Sequence, residues 1–151
     1  MNPVSFRAVV DASVAVKIFV PEALSAEAQA VFARFVQDRG AELFVPDLFF
    51  VECANVFWEW VQRSAYPPIA AQGHLRDLMG LGLTEIPAQA LLDDALGIAL
   101  KHQLTAYDAC YIAAAHQLRL PLITADKKLV GQVAKSPYEV WWLGDVGAAP
   151  S

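Results

Sequence analysis

The chain has 151 residues, which fits a single domain. Hydrophobic residues make up 56% of it and charged residues 18%, which excludes a disordered polymer and provides enough material for a core. The formal net charge of −5 argues against a protein that grips nucleic acid through a broad basic face. That argument weakens if the acids gather in one pocket that binds divalent cations, because the metal is then the largest local charge.

Strand-like and helix-like segments alternate along the chain, separated by prolines and glycines. In chain order they are a strand at 6–10, a helix at 25–38, a strand at 43–45, helices at 48–64 and 68–78, a strand at 83–86, helices at 88–102 and 105–117, a strand at 120–124, a helix at 127–133 and a strand at 140–143. Asp47 is the predicted N-cap of the helix at 48–64. The apolar side of the helix at 25–38 is predicted from its spacing to comprise Ala26, Ala30, Val31, Phe35 and Val36.

This alternation predicts an α/β fold, a three-layer α/β/α domain around a central, mainly parallel five-stranded sheet. The domain is expected to span residues 1–144, followed by a flexible tail at 145–151. The longest apolar segment, residues 48–61, is too short for a transmembrane helix and contains two glutamates. Nothing at the N-terminus resembles a signal peptide, so we expect a soluble, cytoplasmic protein without membrane association. Cys53 and Cys110 lack metal-binding spacing and are predicted to be buried, reduced thiols.

Four acidic residues fall where they can reach one edge of the predicted sheet. Asp11 follows the first strand and Asp126 follows the fourth, while Asp108 begins a helix and Glu52 lies in the second turn of another. In open parallel sheets, ligands bind beyond the carboxyl ends of the strands. Glu52 lies within a largely apolar helical stripe, where burying an unpaired charge is costly; Asn55, one turn further on, is the polar residue best placed to support it.

Each acid also has a structural explanation that the sequence leaves open. Glu52 could form a buried ion pair with an Arg or Lys. Asp11 and Asp126 could cap the helices that follow them. Thr105 and Asp108 fit a capping box. The shared edge favours a metal site over these separate explanations.

Four segments then resemble the motifs of the PIN-domain family, particularly its VapC-type toxin ribonucleases. They are residues 9–17 (VVDASVAVK), Glu52 with Asn55-Val56, residues 107–113 (YDACYIA) and residues 122–126 (LITAD). The resemblance implies a PIN fold, an endoribonuclease activity that depends on Mg²⁺ or Mn²⁺, a homodimer, and neutralisation by a small VapB-like antitoxin protein. Asp11, Glu52, Asp108 and Asp126 are the expected metal ligands and catalytic residues, and oxygen ligands suit those cations.

Several neighbouring residues are candidates for supporting roles. Ser13 and Thr124 could bind the acids or a phosphate, or could simply form strand-end hydrogen bonds. Lys17 could contact an RNA phosphate or be a solvated helix residue. Lys127-Lys128 could supply positive charge at the mouth of the site or be solvated in the same way. No catalytic role is assigned to the three histidines. The aromatic residues at 57, 58 and 60 are predicted to lie in the core or at a subunit interface, with stacking on RNA bases as the alternative.

Other protein classes fit less well. A haloacid-dehalogenase-type phosphotransferase would need a second Asp at position 13, where this chain has Ser13, and a receiver domain would need adjacent acids near the first strand. A catalytically silent PIN-fold module that binds RNA or a protein partner remains the alternative.

Overall fold

The computed structural model describes residues 5–146 of the chain. Five strands form a sheet in the order β3-β2-β1-β4-β5, and all four strand pairings are parallel. The strands are β1 (Arg7–Val10), β2 (Glu42–Pro46), β3 (Thr84–Ile86), β4 (Leu122–Thr124) and β5 (Val140–Trp142). Ala8, Val9 and Val10 of the central strand are fully buried, as expected when helices cover both faces of a parallel sheet.

Eight helices surround this sheet. They are α1 (Ala12–Ala15), α2 (Ser25–Gln37), α3 (Leu48–Ser64), α4 (Pro68–Met79), α5 (Leu92–His102), α6 (Ala106–Leu118), α7 (Lys127–Gln132) and α8 (Leu143–Val146), with short 3₁₀ turns at Val16–Ile18 and Ala88–Ala90. Helix α6 lies between the sheet and α5, and seven consecutive residues from Ala109 to Ala115 are buried. A helix that is enclosed on every side is expected to be apolar all round, and this stretch is apolar apart from the hydroxyl of Tyr111.

The predicted fold class and the order of the elements are confirmed. The apolar side predicted for α2 is only partly correct. Val31 is buried and Phe35 is half-buried against the core, but the structure buries Ala28 and Phe32 in place of Ala26 and Ala30, and Val36 is 69% exposed. Asp47 occupies the N-terminal position of α3, but its carboxylate does not cap that helix. It accepts a hydrogen bond from the amide of Ala88 at 3.0 Å, which ties the start of α3 to the segment after β3.

The C-terminal boundary also differs from the prediction. Asp145 and Val146, which were assigned to the tail, belong to α8, and Val146 packs against the core. The rest of the predicted tail, residues 147–151, lies outside the described residues. No helix between residues 5 and 146 has both the length and the apolar character that crossing a bilayer would require.

Candidate functional site

The carboxyl edge of the sheet brings the first and last of the predicted acids close to each other in the fold. Asp11 follows β1 directly, and Asp126 stands two residues after the neighbouring strand β4. Glu52 is carried by α3, which follows β2 on the other side of β1, and Asp108 lies in the first turn of α6. The connections of the parallel sheet therefore account for this placement.

Asp11 is a buried carboxylate held by hydrogen bonds at both oxygens. Its Oδ1 accepts from the amide of Ser13 at 2.8 Å and from the Ser13 hydroxyl, and its Oδ2 accepts from Thr124 Oγ1 at 2.6 Å. Burial raises the pKa of Asp11 from 3.8 to about 6, and the negative charge of Asp108 adds to that rise. The bonds from Ser13 and Thr124 act in the opposite direction because they stabilise the ionised form. Asp11 is also the N-cap of α1, as one structural explanation predicted.

Ser13 and Thr124 join the ends of β1 and β4. Ser13 Oγ accepts from the amide of Ala125 at 3.0 Å, and Thr124 Oγ1 accepts from the amide of Asp126 at the same distance. Both alternatives foreseen for these hydroxyls therefore occur together, since each binds Asp11 and also a backbone amide after β4. The result is a rigid connection between Asp11 and the segment that carries Asp126.

Glu52 is half-buried and accepts a hydrogen bond from the hydroxyl of Tyr111 at 2.6 Å. Burial raises the pKa of Glu52, the Tyr111 bond lowers it, and the charge of Asp108 raises it. The supporting role predicted for Asn55 is wrong, because that residue is exposed and its amide donates to Glu59 at 3.5 Å. Sequence reasoning missed Tyr111 as the partner. The available signal was its position three residues after Asp108, which puts both side chains on one side of α6.

Asp126 caps a helix as predicted, whereas of the capping box predicted for Thr105 and Asp108 the structure shows only the half in which Thr105 accepts. The amide of Asp108 donates to Thr105 Oγ1 at 3.1 Å, so this cap uses the backbone of Asp108. Asp126 caps α7 through Oδ1, which accepts from the amides of Lys128 and Leu129 at 3.0 and 3.2 Å. Capping therefore partly explains the aspartates at these two positions, but it does not exclude a chemical role for their carboxylates.

The four carboxylates are electrostatically coupled through Asp108. Burial raises the pKa of Asp108 and the charge of Asp126 raises it further, while the charge of Asp108 raises the pKa values of Asp11 and Glu52. The ion pairs within residues 5–146 are Arg7–Glu42 at 3.3 Å and Lys17–Glu22 at 3.2 Å. The buried ion pair considered for Glu52 is therefore not found there, and the Lys17 ammonium is bound to Glu22 instead of facing the acids.

The donor set fits a hard divalent cation, because it consists of carboxylate oxygens that repel one another and have no Lys or Arg partner in the described chain. No three acidic, histidine or cysteine side chains between residues 5 and 146 are already arranged around one metal position. Binding one ion through three of these acids therefore requires side-chain movement.

The three histidines lie in aromatic clusters. His74 stacks on Phe19 with ring centroids 4.5 Å apart, and His102 and His116 flank Tyr138. The aromatic residues of α3 differ in exposure: Phe57 is buried, Trp60 is half-buried against the core and Trp58 is 57% exposed.

The fold and these residues together define an α/β/α domain with an acidic site at the carboxyl edge of its sheet. A sequence model described as "PIN domain" matches residues 8–135, so the chain belongs to the PIN-domain family. It is 33% identical over 125 residues to Ribonuclease VapC3 of Pyrobaculum aerophilum, an alignment that covers 82% of this chain and 92% of that protein.

Solved structures support the same fold. A crystal structure of a protein from Pyrobaculum aerophilum, PAE2754, superposes with a TM-score of 0.69 at 22% identity, and the match covers 94% of both chains. A toxin–antitoxin complex from Klebsiella pneumoniae contains a chain that matches with a TM-score of 0.63 at 18% identity, covering 89% of this chain and 95% of that one.

Proposed function

We propose that this protein is a Mg²⁺- or Mn²⁺-dependent endoribonuclease that acts as the toxin of a toxin–antitoxin pair. The observation that carries the proposal is the coupling of four carboxylates through Asp108, without a basic partner among the described residues, at the edge where parallel sheets bind ligands. The ribonuclease activity is supported by membership of the PIN-domain family and by the 33% sequence identity to a relative named a ribonuclease. The cytoplasm, where cellular RNA resides, stays the predicted location.

In this proposal Asp11, Glu52 and Asp108 hold the cation and Asp126 completes the site. A bound cation would supply a water of lowered pKa and stabilise the charge that develops on the phosphodiester. Ser13 and Thr124 hold the Asp11 carboxylate in one orientation, and Tyr111 does the same for one oxygen of Glu52.

The antitoxin is proposed to bind in the groove between α3 and α4. This groove has a volume of about 240 Å³ and an apolar lining that includes Ala54, Phe57, Trp58, Val61 and Leu75. A concave apolar groove fits a protruding side chain or helix of a different protein. The toxin–antitoxin complex that contains a chain of similar fold supports a partner of this kind.

The surface proposed for homodimerisation is a leucine stripe on α5, formed by Leu92, Leu96 and Leu100. Their spacing of four residues places them on one side of the helix, and they are 49%, 57% and 75% exposed. A two-fold dimer needs one patch that is complementary to itself, which a stripe on a single helix provides.

The test is cleavage of total cellular RNA in Mn²⁺, in Mg²⁺ and in EDTA. Asp108→Asn removes the charge that a metal needs, but it retains the backbone amide that bonds Thr105. Glu59→Gln is the matched control, an acid on the same helix as Glu52 but about two turns away and hydrogen-bonded to Asn55. Thr105→Ala removes the cap and keeps the carboxylate of Asp108.

We expect discrete fragments that require metal, persist in Glu59→Gln and Thr105→Ala, and vanish in Asp108→Asn. Equal cleavage by Asp108→Asn would reject this site. Intact RNA in every lane, from folded protein free of a bound partner, would favour the alternative of a silent binding module. Calorimetry with Mn²⁺ separates these readings further, because a silent module that has lost its metal site would give no binding heat.

A further inference from the structure

Trp142 lies at the same edge of the sheet as the acids. It is the last residue of β5 and pairs with Thr124, the residue whose hydroxyl binds Asp11. Asp126 follows two residues after Thr124, so the indole of Trp142 borders the segment that carries this acid. Sequence reasoning gave Trp142 no role.

The ammonium of Lys127 rests over the indole of Trp142, with Nζ 4.4 Å from the ring centroid. This is within the range of a cation–π interaction, which holds a cation in place without neutralising its charge. Lys127 is exposed, and neither of the two ion pairs within residues 5–146 involves it. A positive charge is therefore held over Trp142, at the residue that follows Asp126 in sequence, and remains available to an anion.

The backbone at Gly144 helps to keep the indole in this position. A Cβ atom at residue 144 would overlap the six-membered part of the Trp142 ring, so the absence of a side chain lets the ring lie across the start of α8. The platform under Lys127 is thus set by the fold and does not depend on the lysine alone.

We propose that Lys127, held on Trp142, is a binding site for a backbone phosphate of the RNA strand that enters the acidic site. This inference rests on the proposed function. A polyanion that approaches four carboxylates meets repulsion, and a fixed cation beside one of them offsets it where the strand must pass. The platform also reduces the side-chain freedom that an unsupported lysine would lose on binding.

The test measures RNA affinity without cleavage. The probe is a fluorescein-labelled single-stranded RNA of mixed sequence, about 20 nucleotides long, titrated with Asp108→Asn protein in Mg²⁺ at salt concentrations from about 50 to 300 mM. Lys127→Gln in this background should weaken binding about tenfold and reduce the slope of log affinity against log salt by about 0.7, the value for one phosphate contact on a single strand. Lys127→Arg should retain the affinity, because a guanidinium also stacks on an indole and binds phosphate.

Lys128→Gln is the matched control, since it removes the same charge from the neighbouring exposed residue. Trp142→Leu should weaken binding while Trp142→Phe preserves most of it, with thermal melts confirming that each variant is folded. Equal losses in Lys127→Gln and Lys128→Gln would mean a general charge effect and would overturn the inference. So would unchanged binding in Lys127→Gln, or a parent protein that fails to bind the RNA. The cleavage of total RNA scores fragments instead of affinity, so it decides the proposed function separately.

Discussion

Asp11 makes the stability of the metal-free protein depend on pH. Its folded-state pKa of about 6 lies above the ordinary value of 3.8, so between these values the folded protein keeps a proton that the unfolded chain has lost. Protonation therefore favours folding, and this contribution is lost as pH rises towards and past 6. Full ionisation should cost on the order of 3 kcal/mol.

We predict that the melting temperature of the metal-free protein falls between about pH 4 and pH 6 and then levels off, and that Asp11→Asn reduces this fall because asparagine does not ionise. Thermal melts in EDTA across this range would measure both slopes. Adding Mg²⁺ should restore stability chiefly at the higher pH, where the carboxylates are charged. A slope that is identical in Asp11→Asn would show that the buried carboxylate is not its source.

Tyr111 gives a second prediction at this scale. Tyr111→Phe removes the hydrogen bond to Glu52 and leaves the ring in the core, so the free energy of unfolding should change little. Because that bond lowers the pKa of Glu52, its loss should raise the pKa and shift the acidic limb of the cleavage profile to higher pH. Affinity for Mn²⁺ measured by calorimetry should fall by about tenfold.

Phe57→Leu is a suitable control for Tyr111→Phe, because it alters a buried aromatic residue of α3 away from the carboxylates. If both variants lose Mn²⁺ affinity equally, the effect arises from packing and not from the hydroxyl.

The placement of the acids could be predicted from the sequence, but their hydrogen-bond partners only in part. Asp11 and Asp126 follow buried strands, so the rule for parallel sheets places them together. The partner of Glu52 lies 59 residues away on another helix. A helical wheel proposes Asn55 because it considers neighbours on one helix only, and it contains no information about which residue of α6 comes within hydrogen-bonding distance of Glu52.

At the scale of elements, the leucine stripe on α5 leads to a prediction about the proposed homodimer. Leu96→Glu places a charge in the middle of the leucine stripe, so the protein should change from a dimer to a monomer in light scattering at low protein concentration. The residue is exposed, so the melting temperature of the monomer should change little.

Ile69→Glu on α4 is the matched control, because Ile69 is 81% exposed and lies outside the stripe. A dimer that survives Leu96→Glu and dissociates in Ile69→Glu would move the interface to the side of α4.

The ends of the helices could be predicted from local sequence signals, whereas the buried face of α2 could not. Pro67-Pro68 ends one helix and begins the next, and residues 106–118 form one helix after the Thr105 cap. The face of α2 was misjudged because its alanines satisfy two overlapping apolar stripes, and contacts with the turn at Val16–Ile18 and with α8 select one of them. Those contacts depend on tertiary structure, which periodicity does not contain.

At the scale of the whole molecule, the strand order explains why one edge collects the acids. Strand β1 is central, with β2 and β4 on either side, so the segments after all three strands emerge next to one another. The alternation of strands and helices predicts a parallel sheet, but this order depends on how the crossovers pack. A parallel sheet also makes the fold depend on contacts between distant parts of the chain, which favours slow and cooperative folding.

The two buried thiols allow the opening of individual helices to be measured as a labelling rate. Cys53 and Cys110 are at most 1% exposed, and burial raises the pKa of both. Because Cys53 stands beside Glu52 on α3 and Cys110 is two residues after Asp108 on α6, each reports on the helix that carries one of the acids. A thiol reagent should therefore label them only when those helices open, and Mg²⁺ should slow the labelling of both. Cys53→Ser and Cys110→Ser variants would separate the two signals: equal rates would mean that α3 and α6 open as one unit, and a faster rate at one thiol would identify the helix that opens alone.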